Sequence, residues 1–130
     1  MYELMDMRTP LGRVRGLGSA KEGSDHFWKQ RLTAIANVPL TLFLGYTLLV
    51  YGGADYAEVA SHLASPLIAI PMLLLVFSSI IHMRLGMQII IEDYISSEAI
   101  KIASLIFNSF FSFAVGLACV YAILKLSFGA

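Results

Sequence analysis

The chain has 130 residues, of which 58% are hydrophobic and 14% charged, with a formal net charge of zero. Soluble domains carry about 25% charged residues, so this balance belongs to a membrane protein, and a neutral chain offers no electrostatic footprint for nucleic acid. Three apolar stretches are each long enough to cross a hydrocarbon core of about 30 Å, which takes about 20 helical residues, and they leave no room for a soluble catalytic domain.

Residues 1–24 are polar and glycine-rich, with Gly12, Gly16, Gly18 and Gly23, and are expected to form an extended or weakly ordered tail. An apolar leader core is missing from this segment. Arg8, Arg13 and Arg15 suit a mitochondrial transit peptide, but Glu3, Asp6, Glu22 and Asp25 do not, because such peptides are poor in acids; the segment reads as the N-terminus of a bacterial protein. Ser24 or Asp25 is positioned to cap the free N–H groups of a helix that follows, and Trp28 reads as an interfacial anchor.

The anchor domain, 25–130, then carries the three spans. The first is predicted over 31–51, with Asn37 inside it and a kink near Pro39, tolerated where neighbours satisfy the freed carbonyl. A turn at Gly52-Gly53-Ala54-Asp55 leads to a short segment, 54–64, with Asp55, Glu58 and His62. The second span is predicted over 65–91. Pro66 suits a first helical turn, where a missing N–H costs nothing. Its apolar run, roughly 40 Å as helix, is broken by His82, Arg84 and Gln88 and overshoots the core or tilts. A polar link over 92–98 precedes the third span, 100–128, whose Phe107, Phe110, Phe111, Phe113 and Tyr121 read as packing or lipid-facing residues. Cys119 lies within this run and reads as a small buried hydrophobe.

Lys and Arg near the span ends set orientation. Arg8, Arg13, Arg15, Lys21, Lys29 and Arg31 precede or open the first span, and the 52–64 loop has no Lys or Arg. The N-terminus and the 92–98 link are therefore expected on the cytoplasmic side, against the single opposing Lys125.

Ionisable groups inside a span are costly and mark functional sites by default. At about 100° per residue, Ser78, His82, Gly86, Ile89 and Asp93 form one stripe of the second span, with Tyr94 beside it and Arg84 on the opposite side. Tyr94 lies roughly 18 Å along the axis from His82, at the cytoplasmic surface, where Arg31 is also expected. A neutral imidazole in hydrocarbon is an axial ligand for haem iron, and Gly86 leaves space for a flat macrocycle. Arg31 suits a haem propionate or a quinone oxygen. Asp93 and Tyr94 suit quinone binding and proton delivery. A hydrogen-bonded packing role for His82, a snorkelling role for Arg84 or its pairing with a partner chain, and an interfacial role for Asp93 and Tyr94 are the plainer readings.

The run His82-Met-Arg-Leu-Gly86-Met-Gln88-Ile-Ile-Ile-Glu-Asp93-Tyr94 resembles the HxxxGxxxxxxDY segment of the small hydrophobic membrane-anchor subunits of succinate dehydrogenase (complex II). Gln30-Arg31-Leu-Thr33-Ala34-Ile35 resembles their R-x-T-A-I/V entry to the first span, in wording closest to alphaproteobacterial members. The resemblance, over residues 24–128, implies an all-α bundle of three transmembrane helices packed with a second anchor subunit in a bacterial inner membrane. It implies that His82 ligates a haem b iron shared with a cytochrome b556-type partner, with Arg31 near the propionates. It implies that Tyr94 hydrogen-bonds ubiquinone beside Asp93. FAD and iron–sulfur clusters would reside in the flavoprotein and iron–sulfur subunits. His26 lies near a histidine of the family, without a secure alignment to it. A fumarate reductase anchor, or a structural or assembly protein with no cofactor, remains the alternative.

Overall fold

The computed structural model describes residues 9–16 and 22–129. The readings made on Glu3, Asp6, Arg8, Gly18 and Lys21 fall outside those residues. All regular structure among the described residues is helical: α1 (Pro10–Val14), α2 (Glu22–Tyr51), α3 (Tyr56–Leu63), α4 (Pro66–Tyr94) and α5 (Glu98–Phe128). Three of them, α2, α4 and α5, are long and apolar enough to cross a membrane.

The N-terminal tail is not uniformly extended. Thr9 Oγ1 accepts from Gly12 N at 3.0 Å, and Pro10 opens α1 with its φ already helical. Gly16 then takes φ +65°, a left-handed value that favours glycine. Ser24 and Asp25 do not cap the first span, because α2 has already begun at Glu22. Asp25 instead meets Lys29 Nζ at 2.7 Å, an exposed i,i+4 pair that supports the first turns by a few tenths of a kcal/mol, on the order of 0.3–0.5. The helix continues through Pro39 to Tyr51.

The loop after α2 contains a helix that the sequence reading treated only as a short segment. Asp55 Oδ1 accepts from Glu58 N at 2.9 Å, so Asp55 caps α3. The ring of His62 on α3 stacks on Tyr51 at the end of α2, 3.8 Å between centroids and 24° between planes. Ser65 precedes α4, with Pro66 in its first turn as expected. The polar link is shorter than 92–98. α4 runs on through Glu92, Asp93 and Tyr94, because nothing there breaks a helix and Gln88 Nε2 donates to Glu92 Oε1 at 2.9 Å one turn away. Only residues 95–97 separate α4 from α5.

α4 is the centre of the molecule: α2 and α5 each pack on it, and α3 rests on α5 and α4. The two seams use opposite flanks of α4. Toward α2 it turns Ser78, Ser79, His82 and Gly86; toward α5 it turns Ile80 and the Arg84 carbonyl. The α5 side of that second seam is a ladder of small and polar residues one turn apart. Asn108 and Ser112 are buried, and a Cβ at Gly116 would meet Ile80 Cγ1 at 3.3 Å. Small residues let membrane helices approach closely, where packing and hydrogen bonds replace a hydrophobic drive. The third-span aromatics Phe107, Phe110, Phe111, Phe113 and Tyr121 are all exposed, with Phe107 and Phe111 flanking the α4–α5 groove. Cys119 is half-buried rather than buried.

Gly116 therefore measures the α4–α5 approach. Gly116→Ala gains helix propensity of about 1 kcal/mol against a contact that Ile80 must relieve, and is expected to stay within about 1 kcal/mol of the parent. Gly116→Leu overpacks the seam and is expected to destabilise by about 1–3 kcal/mol. Denaturation of both variants in detergent, followed by circular dichroism, checks the difference.

Candidate functional site

The seam between α2 and α4 gathers the polar residues of both helices. On α2, His26, Gln30, Thr33 and Asn37 recur at helical spacing and face α4. On α4, Ser78, Ser79, His82 and Gly86 face back. Thr33 Oγ1 lies 3.2 Å from His82 Nδ1. Ser78 Oγ donates to the Thr33 carbonyl at 3.2 Å, and Ser79 Oγ to Asn37 Oδ1 at 3.5 Å. A Cβ at Gly86 would lie 3.5 Å from Gln30 Nε2, so the side of Gly86 turned to α2 is flanked by that carboxamide.

These contacts fix an antiparallel register in which Gln30 stands opposite Gly86, Thr33 opposite His82 and Asn37 opposite Ser79. That register moves Arg31. The sequence reading put it at the level of Asp93 and Tyr94. α2 instead begins well before it, and the residue opposite Tyr94 is near Glu22. Arg31 lies roughly 14 Å deeper, level with the His82–Gly86 turn. It also points away from the seam, exposed, with its guanidinium 5.0 Å above the Phe27 ring. The structure thus brings Arg31 to the depth of His82 and does not bring it together with Asp93 and Tyr94.

The three histidines differ in what their rings can do. His26 Nε2 and His62 Nε2 are buried with no hydrogen-bond partner among the described residues. His82 is half-buried and engaged at Nδ1, which leaves Nε2 as its free ring nitrogen among the described residues. Among the described residues no group of three or more His, Cys, Asp or Glu side chains could hold a bare metal ion. An iron bound at His82 must therefore bring its other donors with it. A haem would do so, and an imidazole with one nitrogen free on an apolar helix fits the single donor it would take from this chain.

Arg84 has a partner within the chain. Its Nε and Nη2 donate to Ser109 Oγ at 3.4 and 3.3 Å, and Asn108 Nδ2 donates to the Arg84 carbonyl at 3.0 Å. Both ends of the residue tie α4 to α5, so it is a seam residue rather than one waiting for another chain. Asp93 and Tyr94 are adjacent but face different ways, about 100° apart. Asp93 lies on the His82 stripe and is exposed. Tyr94, 84% exposed, stands at one end of a groove of about 820 Å³ between α4 and α5, lined by Met83, Met87, Ile90, Phe107 and Phe111 among others.

Sequence reasoning reached His82, Gly86, Asp93 and Tyr94 but gave the α2 face no role. The signal was available: the spacing of His26, Gln30, Thr33 and Asn37 is as regular as that of Ser78, His82 and Gly86.

The model of the succinate dehydrogenase/fumarate reductase transmembrane subunit family matches residues 5–116. The chain is 36% identical over 118 residues to the succinate dehydrogenase hydrophobic membrane anchor subunit of Rickettsia bellii, covering 91% of this chain and 94% of that one. It is 32% identical over 122 residues to the subunit of the same description from Paracoccus denitrificans, covering 94% of each. A succinate dehydrogenase membrane anchor subunit of Reclinomonas americana is 32% identical over 88 residues, 65% of this chain and 73% of that one.

Proposed function

Since the chain belongs to the succinate dehydrogenase/fumarate reductase transmembrane subunit family, we propose that it anchors a succinate:ubiquinone oxidoreductase in the bacterial cytoplasmic membrane, co-ligating haem b and forming part of the ubiquinone site. The observation that carries this reading is His82: one ring nitrogen is held inside the seam by Thr33 and the other is left free within an apolar span. His82 is the one histidine lying mid-way along a membrane-spanning stretch of apolar helix, so a haem held there would take its other protein ligand from a partner anchor subunit. Gly86, one turn from the ligand, has Gln30 beside it on the α2 side, and Arg31, at the same depth, would supply a cation for a propionate. Bound there, haem b supplies a one-electron carrier within the membrane.

Tyr94 is the quinone residue in this reading. Its O–H donates to a carbonyl oxygen of the ring, and the apolar groove below it receives the isoprenoid tail. Asp93, exposed beside it, takes protons from the water. The charge bias of the loops places Tyr94 and the N-terminus on the cytoplasmic side, where the flavoprotein and iron–sulfur subunits dock on the 95–97 link and the start of α2. Succinate oxidation is then carried out by those subunits, and this chain receives no substrate other than the quinone.

Three measurements test this. In the assembled complex, His82→Leu is expected to abolish the b-type haem bands of the reduced-minus-oxidised spectrum; unchanged bands overturn the ligand assignment and favour a cofactor-free structural role. Tyr94→Phe removes one hydrogen bond, about 1.5 kcal/mol, and is expected to slow ubiquinone reduction roughly tenfold while succinate oxidation by a soluble dye is unaffected. For orientation, Gly53→Cys in a Cys119→Ala background is expected to react with an impermeant maleimide in spheroplasts, and Ser96→Cys only after permeabilisation; the reverse pattern inverts the topology.

A further inference from the structure

We propose that Thr33 is the positioning residue of the His82 ligand: its hydroxyl selects the imidazole tautomer that carries hydrogen on Nδ1 and leaves Nε2 bare for iron. The inference rests on the haem reading of His82 and adds to it a residue on a different helix.

The argument is an account of one hydrogen. A threonine hydroxyl has one hydrogen to donate and two lone pairs to accept with. Thr33 Oγ1 lies 2.7 Å from the Lys29 carbonyl and 3.1 Å from the Gln30 carbonyl. Carbonyls only accept, so the hydroxyl hydrogen is directed to them, the usual back-bonding of a threonine in a helix. Toward His82, 3.2 Å away, the same oxygen has only lone pairs left. The contact is therefore Nδ1–H donating to Oγ1. A neutral imidazole has a single N–H, so Nε2 is the unprotonated nitrogen, and among the described residues it is the one Thr33 leaves free.

The relay is held at both ends. Ser78 Oγ donates to the Thr33 carbonyl at 3.2 Å, pinning the Thr33 backbone to α4 one turn from the ligand. Hydrogen bonds in such a chain polarise one another. The second partner of a ligating histidine fixes its tautomer and ring orientation and raises its basicity, and loss of such a partner costs 10–100-fold in affinity. A more basic imidazole favours ferric iron, so losing the acceptor moves the haem potential upward.

The test uses the complete membrane complex with Thr33→Val, Thr33→Ser and His82→Leu. Thr33→Ala serves as a second hydroxyl-free variant should the valine block assembly. Haem-to-flavin ratio, the midpoint potential from an optical redox titration and the ferric electron paramagnetic resonance spectrum are read for each. Thr33→Ser is expected to match the parent. Thr33→Val and Thr33→Ala are expected to weaken haem retention by 10–100-fold, to raise the potential and to shift the ferric signal. If the hydroxyl-free variants keep the parent's haem content, potential and spectrum while His82→Leu loses the haem, the role of Thr33 is overturned and the ligand assignment stands. If His82→Leu itself keeps the haem, the ligand assignment falls and this inference with it.

Discussion

The 3.2 Å contact between Thr33 and His82 is set by the solvent. In hydrocarbon an unpaired polar group costs several kcal/mol, and a buried imidazole has two nitrogens to satisfy. Bringing Thr33 within reach of Nδ1 fixes how close α2 comes to α4 and in what register. The neighbours follow from that spacing. Ser78, Ser79 and Gly86 are small, which lets the two helices approach, and each meets a polar partner on α2. The α4–α5 seam obeys the same rule with different residues. Asn108 and Ser112 are buried there, Gly116 admits Ile80, and Arg84 spends its guanidinium on Ser109. Leu75, Leu85 and Ile91 of α4 are buried as well, but lipid offers large apolar side chains much the same environment, so the polar and small residues set the register.

Because α4 is used on both flanks, its residues divide their work by rotation rather than by position. Asp93 and Tyr94 are neighbours in sequence, yet Asp93 continues the flank that carries His82 while Tyr94 stands over the groove toward α5. Tyr94 thus has an acid beside it in sequence on one flank and an apolar trough on the other. The same rotation puts Arg84, two residues from His82, on the seam away from it. Within one helix the flank that carries His82 and the flank that carries Tyr94 are kept apart without any intervening structure.

The three spans were legible because apolar length is a direct reading of bilayer thickness, and the His82 stripe was legible because polar residues stand out in such a run. What escaped was of two kinds. Element ends moved where polar residues stayed helical: Glu92, Asp93 and Tyr94 look like a loop by composition, but nothing among them interrupts the backbone ladder. Glu22 begins α2 three residues ahead of Asp25, although Asp25 has the chemistry of a cap. The other kind was pairing between helices. Thr33, Gln30 and Asn37 are ordinary polar residues until the register sets them opposite His82, Gly86 and Ser79, and that register also carries Arg31 away from the membrane surface. α3 was readable in principle, since Asp55 three residues before Glu58 is the pattern of a helix start.

The arrangement of the helices in effect requires a second chain. With α2 and α5 on opposite flanks of α4, both edges of the α2–α4 seam lie open, and most large apolar side chains of the spans face outward; Leu49 is 89% exposed and Phe110 71%. A histidine whose Nδ1 is turned into the seam must present Nε2 toward one of those edges. Anything bound there is covered on one side only by this chain, and its other side is lipid or protein. The seam that satisfies Nδ1 is therefore also what aims the vacant nitrogen at the surface a partner anchor would have to cover.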